Sequence, residues 1–258
     1  MRGPLNLDLH GQVAVVTGGS GELGRPICRT LAACGAKVAV HYHSSAEKAE
    51  ALVEEILAAG GQAAAFRADV TDLDSAKSLS AAVTEKLGVA TIVVNCAVVQ
   101  YNWVSVLDQA VEDYESQFRS CVLHNVNMAK AFVPGMIELG KGGRVIGINT
   151  ECAMQNAPTQ SAYVSGKRGM DGVLRVLAKE IGAHGITVNQ VAPGWMRSDR
   201  IRAQSEDPQI GYAKNVPLRR AGDDQEIANL VAFLASDLAS FISGAFIPVS
   251  GGTVMPTI

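Results

Sequence analysis

Apolar residues along the chain follow two alternating rhythms. Short unbroken runs at 12–17, 37–42, 63–68, 91–95, 144–149, 186–191 and 246–249 have the length and the Val, Ile and Ala content of buried strands. Longer stretches near 72–87, 109–138, 162–183 and 223–235 repeat their apolar positions at helical spacing. Two more helices are expected early in the chain. One follows the first run and continues to Cys34, with Gly35 as its terminating glycine. The other starts from a serine cap at Ser44 or Ser45 and stops at Gly60 and Gly61. Strands spaced by helices in this way predict βαβ crossovers. The expected fold class is therefore α/β, a doubly wound, mostly seven-stranded parallel sheet with helices on both faces. No linker, composition shift or internal repeat breaks the chain, so residues 1–258 are expected to form a single domain.

Composition narrows the function classes. With 258 residues, 48% hydrophobic, 18% charged and no low-complexity tract, the chain can bury a sizeable core and is expected to be compact and globular. A net charge of -3, without a Lys/Arg block, offers no attraction for nucleic acid or an anionic membrane. No run approaches the ~20 apolar residues that cross a bilayer. The first ten residues lack the apolar centre of a signal peptide. Cys28, Cys34, Cys96, Cys121 and Cys152 form no CxxC and no zinc-like spacing with histidine. Reduced thiols in a cytoplasm, and no metal, are expected.

Two motifs carry chemistry. The first run ends in Thr17-Gly18-Gly19-Ser20-Gly21-Glu22-Leu23-Gly24, between a strand and a helix. Glycines there let the backbone turn sharply and approach a pyrophosphate, whose charge the helix N-terminus favours. Gly18, Ser20, Gly21, Leu23 and Gly24 are the candidate contacts of a Rossmann-type dinucleotide site. Glu22 puts a carboxylate into that loop, so it must point away from the phosphates or weaken their binding. The second motif is Tyr163 and Lys167, one helical turn apart on one face. A phenol titrates near pH ~10, and an ammonium beside it favours the phenolate, bringing it within range of proton transfer.

From about residue 12 to the C-terminus the chain resembles the short-chain dehydrogenase/reductase family. The family's TGxxxGxG motif is matched at Thr17, Gly18 and Gly24, with Glu22 on its middle glycine. Its Asp-Val after the third strand, which contacts adenine, is similar to Asp69 and Val70. Its Asn-Asn-Ala-Gly is half kept as Asn95-Cys96-Ala97-Val98. Its Tyr-x-x-x-Lys is intact at Tyr163 and Lys167. Residues 186–194, ending in Pro193 and Gly194, look like the strand and loop beside the nicotinamide, which continues to Met196 and Ser198. The resemblance implies catalysis by Tyr163, Lys167 and a hydroxyl thirteen positions upstream of the tyrosine. Thr150 stands there in place of the usual serine. The family's asparagine, which anchors a relay water, falls on Cys121. A thiol is a poor substitute, so Cys121 is expected to pack as a small buried residue. Asn125, one turn on, is too distant to replace it.

Cofactor and substrate are implied in the same way. The end of the second strand, His41-Tyr42-His43-Ser44-Ser45, has no carboxylate to bond a ribose 2′-hydroxyl. His43 and Ser44 are the candidate partners of a 2′-phosphate, so NADP(H) is preferred over NAD(H). Val98, Tyr101, Trp103, Cys152, Met154, Trp195 and Met196 fall on cleft-lining loops and suggest a hydrophobic substrate, with 3-oxoacyl thioesters the first expectation. Another hydrophobic ketone or secondary alcohol, or a weakened or non-redox binding protein, are the alternatives. A lid over residues 196–220 is expected, as is a homotetramer or homodimer built on 109–138 and 162–183.

Overall fold

The computed structural model describes residues 7–204 and 208–255; residues 205–207 of the expected lid lie outside the described residues. Seven strands make one parallel sheet: β1 (Val13–Thr17), β2 (Lys37–Tyr42), β3 (Gln62–Arg67), β4 (Ile92–Asn95), β5 (Gly143–Ile148), β6 (Ile186–Pro193) and, last in the chain, β9 (Phe246–Val249). Their order is β3-β2-β1-β4-β5-β6-β9. The expected doubly wound sheet is therefore present, with boundaries moved by one or two residues. In register, Val15 lies between Ala39 and Val93, all three buried. The order reverses between β1 and β4, and such a switch point opens a crevice at the carboxyl ends of the strands.

Helices cover both faces. On one side α1 (Gly24–Ala33), α2 (Ala46–Ala58) and α10 (Asp224–Ala235) bury Ile27, Leu31, Leu52, Ile227 and Val231. On the other, α3 (Leu73–Leu87), α5 (His124–Leu139) and α7 (Ser161–Ile181) bury Leu79, Val83, Met128, Met136, Met170 and Leu174. Each such side chain contributes about 1.5–3 kcal/mol when withdrawn from water. Local signals set the helix ends. Asp72 caps α3 by accepting from the Ser75 N–H at 2.7 Å. Asp223 and Glu226 form a reciprocal capping box at α10. Gly35, at φ +96°, follows the end of α1 as expected. Ser45 does stand at the N-cap of α2, but its side chain makes no capping bond.

The expected single helix over 109–138 is corrected. It is built as α4 (Val111–Gln117), a π-helical segment Phe118–Leu123, and α5. Cys121 lies in the middle of the π segment. After β6 the chain makes a two-residue strand β7 (Met196–Arg197), the short helices α8 (Asp199–Arg202) and α9 (Ile210–Ala213), and β8 (Gly222–Asp223), which pairs with β7. Arg202 ties α8 to α10 through Asp223 at 2.8 Å and Asp224 at 2.5 Å. No helix of the described residues is long and apolar enough to cross a membrane.

Candidate active site

The glycine turn after β1 is shaped for close approach. Gly18 has φ +63°, and a Cβ there would meet the Cα of Ala97 at 3.0 Å. A Cβ on Gly24 would lie 2.1 Å from the Gly18 carbonyl oxygen, so only glycine lets α1 start where it does. No side chain caps the N-terminal end of α1, so the turn is a cradle of backbone amides suited to a diphosphate. Thr17 fastens the turn to β4: its hydroxyl accepts from the amides of Cys96 at 2.9 Å and Ala97 at 3.1 Å. Ser20 is buried and Gly21 exposed, with Leu23 at the N-cap. Glu22 is drawn towards Arg25 at 3.8 Å and accepts from the Arg200 amide at 3.4 Å. Its charge is thus directed to α8.

His41 was not foreseen here. Its Nδ1 accepts from the Gly18 N–H at 3.0 Å, and its Nε2, which then carries the proton, donates to the Ala68 carbonyl at 3.1 Å. The ring is 1% exposed. Burial pulls its pKa down to about 4. A histidine inside a strand run carries no spacing signal, which is why it was missed.

Around the crevice, Asp69 is exposed and Val70 buried at the end of β3. Hydrogen bonds from the Thr71 hydroxyl and amide hold the Asp69 carboxyl below its ordinary range. The Val70 carbonyl accepts from Asn127 at 3.1 Å. Asn95 donates to Asn125 Oδ1 at 2.7 Å, and Asn125 donates to the Cys121 carbonyl at 2.6 Å. Asn125 is therefore committed within the core. Cys121 is 1% exposed and its thiol reaches Gln117 at 3.8 Å. At the end of β2, His43 and Ser44 are exposed. Beside them Arg67, the register partner of Tyr42, donates from Nε to the His43 carbonyl at 3.2 Å. That arginine adds a permanent cation to the two residues predicted there.

Thr150, Tyr163 and Lys167 come together at the carboxyl end of β5. The Thr150 hydroxyl oxygen accepts from the Cys152 amide at 3.2 Å, and the Thr150 side chain is near enough to the Tyr163 phenol to favour its ionised form. Lys167 is 4% exposed; its ammonium donates to the Ile148 carbonyl at 2.6 Å and lies 5.7 Å from the centre of the Tyr163 ring. Burial pushes the Tyr163 phenol up from its ordinary value, with the Cys152 and Cys121 thiols adding to it and the Thr150 hydroxyl opposing. The lowering expected from Lys167 is thus overturned in this geometry: burial of the phenol dominates and moves it the other way. Trp103 stacks on Tyr163 with centroids 6.1 Å apart, and the Tyr101 hydroxyl accepts from the Tyr163 amide at 2.7 Å. These aromatic residues form an apolar wall against the phenol.

On the far side, Pro193 ends β6 and Gly194 follows it. Met196 is 7% exposed with its thioether against Gly222, and Ser198 is buried, its carbonyl accepting from the first turn of α8. Glu151 and Tyr212, neither foreseen, sit behind this loop. The Tyr212 hydroxyl donates to Glu151 Oε1 at 2.8 Å. Burial raises the Glu151 carboxyl, and pushes Tyr212 up to about 12. The two are 61 positions apart, so no motif could have joined them. Among the described residues no group of three or more His, Cys, Asp or Glu side chains gathers as a metal site.

A parallel sheet with a glycine cradle at its switch point, and a hydroxyl, phenol and ammonium across the crevice, defines a nicotinamide-dependent oxidoreductase. A family model described as "Enoyl-(Acyl carrier protein) reductase" matches residues 20–254. The chain belongs to the short-chain dehydrogenase/reductase family. It is 36% identical over 242 residues to 3-oxoacyl-[acyl-carrier-protein] reductase FabG of Staphylococcus epidermidis, covering 94% of this chain and 98% of that one. It is 34% identical over 248 residues to 3-oxoacyl-[acyl-carrier-protein] reductase of Synechocystis, covering 96% and 98%. A solved dehydrogenase/reductase of Sinorhizobium meliloti superposes with a TM-score of 0.89 at 33% identity, covering 96% of this chain and 97% of that one.

Proposed function

We propose that the chain reduces a ketone carbonyl with NADPH, on a hydrophobic substrate of which a 3-oxoacyl thioester is the preferred class. The observation that carries this reading is the convergence of Tyr163 and Lys167, 5.7 Å from ammonium to ring centre, with Thr150 at the end of β5 and Trp103 stacked on the phenol. The names of the 3-oxoacyl-[acyl-carrier-protein] reductases to which the chain is similar support the substrate class. The cofactor, when bound, supplies a hydride to the carbonyl carbon. Gly18, Ser20, Gly21, Leu23 and Gly24 hold its diphosphate, and Asp69, Val70, Asn95 and Ala97 border its adenosine half. Pro193, Gly194, Met196 and Ser198 border the nicotinamide. Thr150 holds the substrate oxygen by donating its hydroxyl proton, since its oxygen already accepts from Cys152. Tyr163 delivers the proton to that oxygen, or removes one in the reverse direction. Lys167 steadies the phenol and, by family resemblance, the ribose. With Cys121 in place of the family's asparagine, proton supply to this pair is altered.

His43, Ser44 and the guanidinium of Arg67 form a donor set for a 2′-phosphate, which supports NADPH over NADH. The described residues of the segment, 196–204 and 208–220, act as a lid. Exposed Val111, Phe118 and Val176 on α4, the π segment and α7 support pairing of copies through those helices, in a homotetramer or homodimer in the cytoplasm. The test is to mix protein and NADPH with a panel of ketones and 3-oxoacyl thioesters and follow loss of the reduced cofactor. Tyr163→Phe is expected to abolish turnover while its NADPH titration changes little. Undiminished turnover in that variant would sink the assignment. No NADPH binding would favour a binding role, towards which Glu22, Cys96, Val98 and Cys121 point, and NADPH binding without oxidation would favour non-redox chemistry or a substrate outside the panel.

A further inference from the structure

We propose that Glu151 and Tyr212 are a positioning pair that sets the loop at 193–195 against the nicotinamide half of the cofactor, apart from the chemistry of Thr150, Tyr163 and Lys167. The inference rests on the oxidoreductase reading above, in which that loop borders the nicotinamide. Glu151 directly follows Thr150 and is 3% exposed. Its amide donates to the Pro193 carbonyl at 2.9 Å. Its Oε1 accepts from the Tyr212 hydroxyl at 2.8 Å, and that hydroxyl in turn accepts from the Trp195 amide at 3.1 Å. The Tyr212 ring stands edge-on to the Trp195 indole, 5.7 Å between centroids. One carboxyl and one phenol therefore join three segments distant in sequence: the end of β5, the loop after β6, and α9.

The space between them is closed. A Cβ on Gly194 would lie 2.4 Å from the Tyr212 hydroxyl and 3.0 Å from Glu151 Oε2, so the pair fills the volume a side chain on that loop would take. The Gly194 amide donates to Val249 at 3.0 Å from the opposite side. The loop is thus gripped on both flanks just ahead of Met196 and Ser198. Glu151 Oε2 is buried without a hydrogen-bond partner, and a half-satisfied carboxyl is a costly way to fill space. A well-packed apolar side chain of similar volume is often no less stable. That is the reason to assign the acceptor oxygen of Glu151 a task beyond packing.

Binding of two nucleotides separates this role from simple packing. NADPH reaches the loop at 193–195, whereas adenosine 2′,5′-bisphosphate ends at the other half of the crevice. Tyr212→Phe keeps the ring against Trp195 and removes only the hydroxyl. It removes both of that hydroxyl's hydrogen bonds, to Glu151 and from Trp195, and is expected to raise the NADPH Kd about 10-fold while leaving the adenosine bisphosphate Kd within about twofold. Glu151→Gln keeps an oxygen that can accept from Tyr212 and should bind both nucleotides as the wild type does. Glu151→Leu should follow Tyr212→Phe, and if it does not fold, Tyr212→Phe decides alone. Wild-type affinity of Tyr212→Phe for NADPH, or an equal loss for both nucleotides, overturns the pairing role and leaves the cofactor reading standing. A wild-type chain that binds neither nucleotide overturns both.

Discussion

His41 performs a task that an ionised imidazole cannot. Its unprotonated Nδ1 receives the Gly18 amide, and so braces the glycine turn against β2 and β3. Burial holds its pKa to about 4, and that of His124, also sealed in the core, to about 3. The unfolded chain takes up these protons near pH ~6.5. Between pH 6.5 and 4 the unfolded state therefore binds more protons than the folded one, and stability falls as pH is lowered through that window. For His41 the loss is on the order of 3 kcal/mol. Calorimetry at pH 7 and pH 4.5 should show it as a drop in Tm. His41→Asn, whose amide oxygen can accept from Gly18 without titrating, should make the dependence shallower and leave the part due to His124; an unchanged slope would remove His41 as a source. At this scale the spacing of Tyr163, Lys167 and Thr150 was readable along the chain. His41 was not, because its partners Gly18 and Ala68 directly follow the strands on either side of its own.

Among the elements, α7 and the π segment depend on each other. A π turn takes one residue more than an α turn and leaves a local irregularity, often at functional sites. Here it is accommodated by glycines on the facing helix. A Cβ on Gly166 would come within 2.9 Å of the Gln117 carbonyl oxygen, and one on Gly169 within 2.7 Å of Val122. Glycine in a helix interior is otherwise disfavoured by about 0.5–1 kcal/mol. Gly166 adjoins Lys167, and α7 also carries Tyr163, so the closeness of the two elements sets how the pair meets β5. Gly166→Ala should lower stability by about 1–3 kcal/mol through overpacking, as denaturant titration would register, and reduce kcat more than NADPH affinity. A more stable, fully active Gly166→Ala would show that the close approach is not needed. Helical periodicity predicted the length of this region well. It did not reveal the π turn, since apolar spacing reports a buried face and not the register of backbone hydrogen bonds.

For the whole molecule, the sheet order places the glycine cradle, the ends of β2 and β3, and the Thr150 region around one crevice. A ligand lying across it would bridge elements from both halves of the sheet and stabilise the fold by mass action. At 100-fold excess over its Kd the gain is about 2.7 kcal/mol, or roughly 5–10 °C in Tm for a chain of this size. NADPH should therefore raise Tm more than NADH at equal concentration. Arg67→Ala should remove most of the difference, because it deletes the guanidinium beside His43. An equal shift from both cofactors, or a larger one from NADH, would overturn the 2′-phosphate assignment.

Features decided by neighbours along the chain were legible from residue order alone. They include the strand and helix alternation, the glycine turn between β1 and α1, and the one-turn spacing of Tyr163 and Lys167. Backbone sterics and side-chain periodicity act over a few residues, so such features survive without any knowledge of packing. Glu151 bonded to Tyr212, Arg67 beside His43, and His41 under Gly18 are of another kind. So is the direction of Glu22 towards α8. Each depends on which strands lie side by side and where a later segment folds back. Only the tertiary structure settles those contacts, because burial and hydrogen-bond pairing are properties of surfaces brought together across the fold.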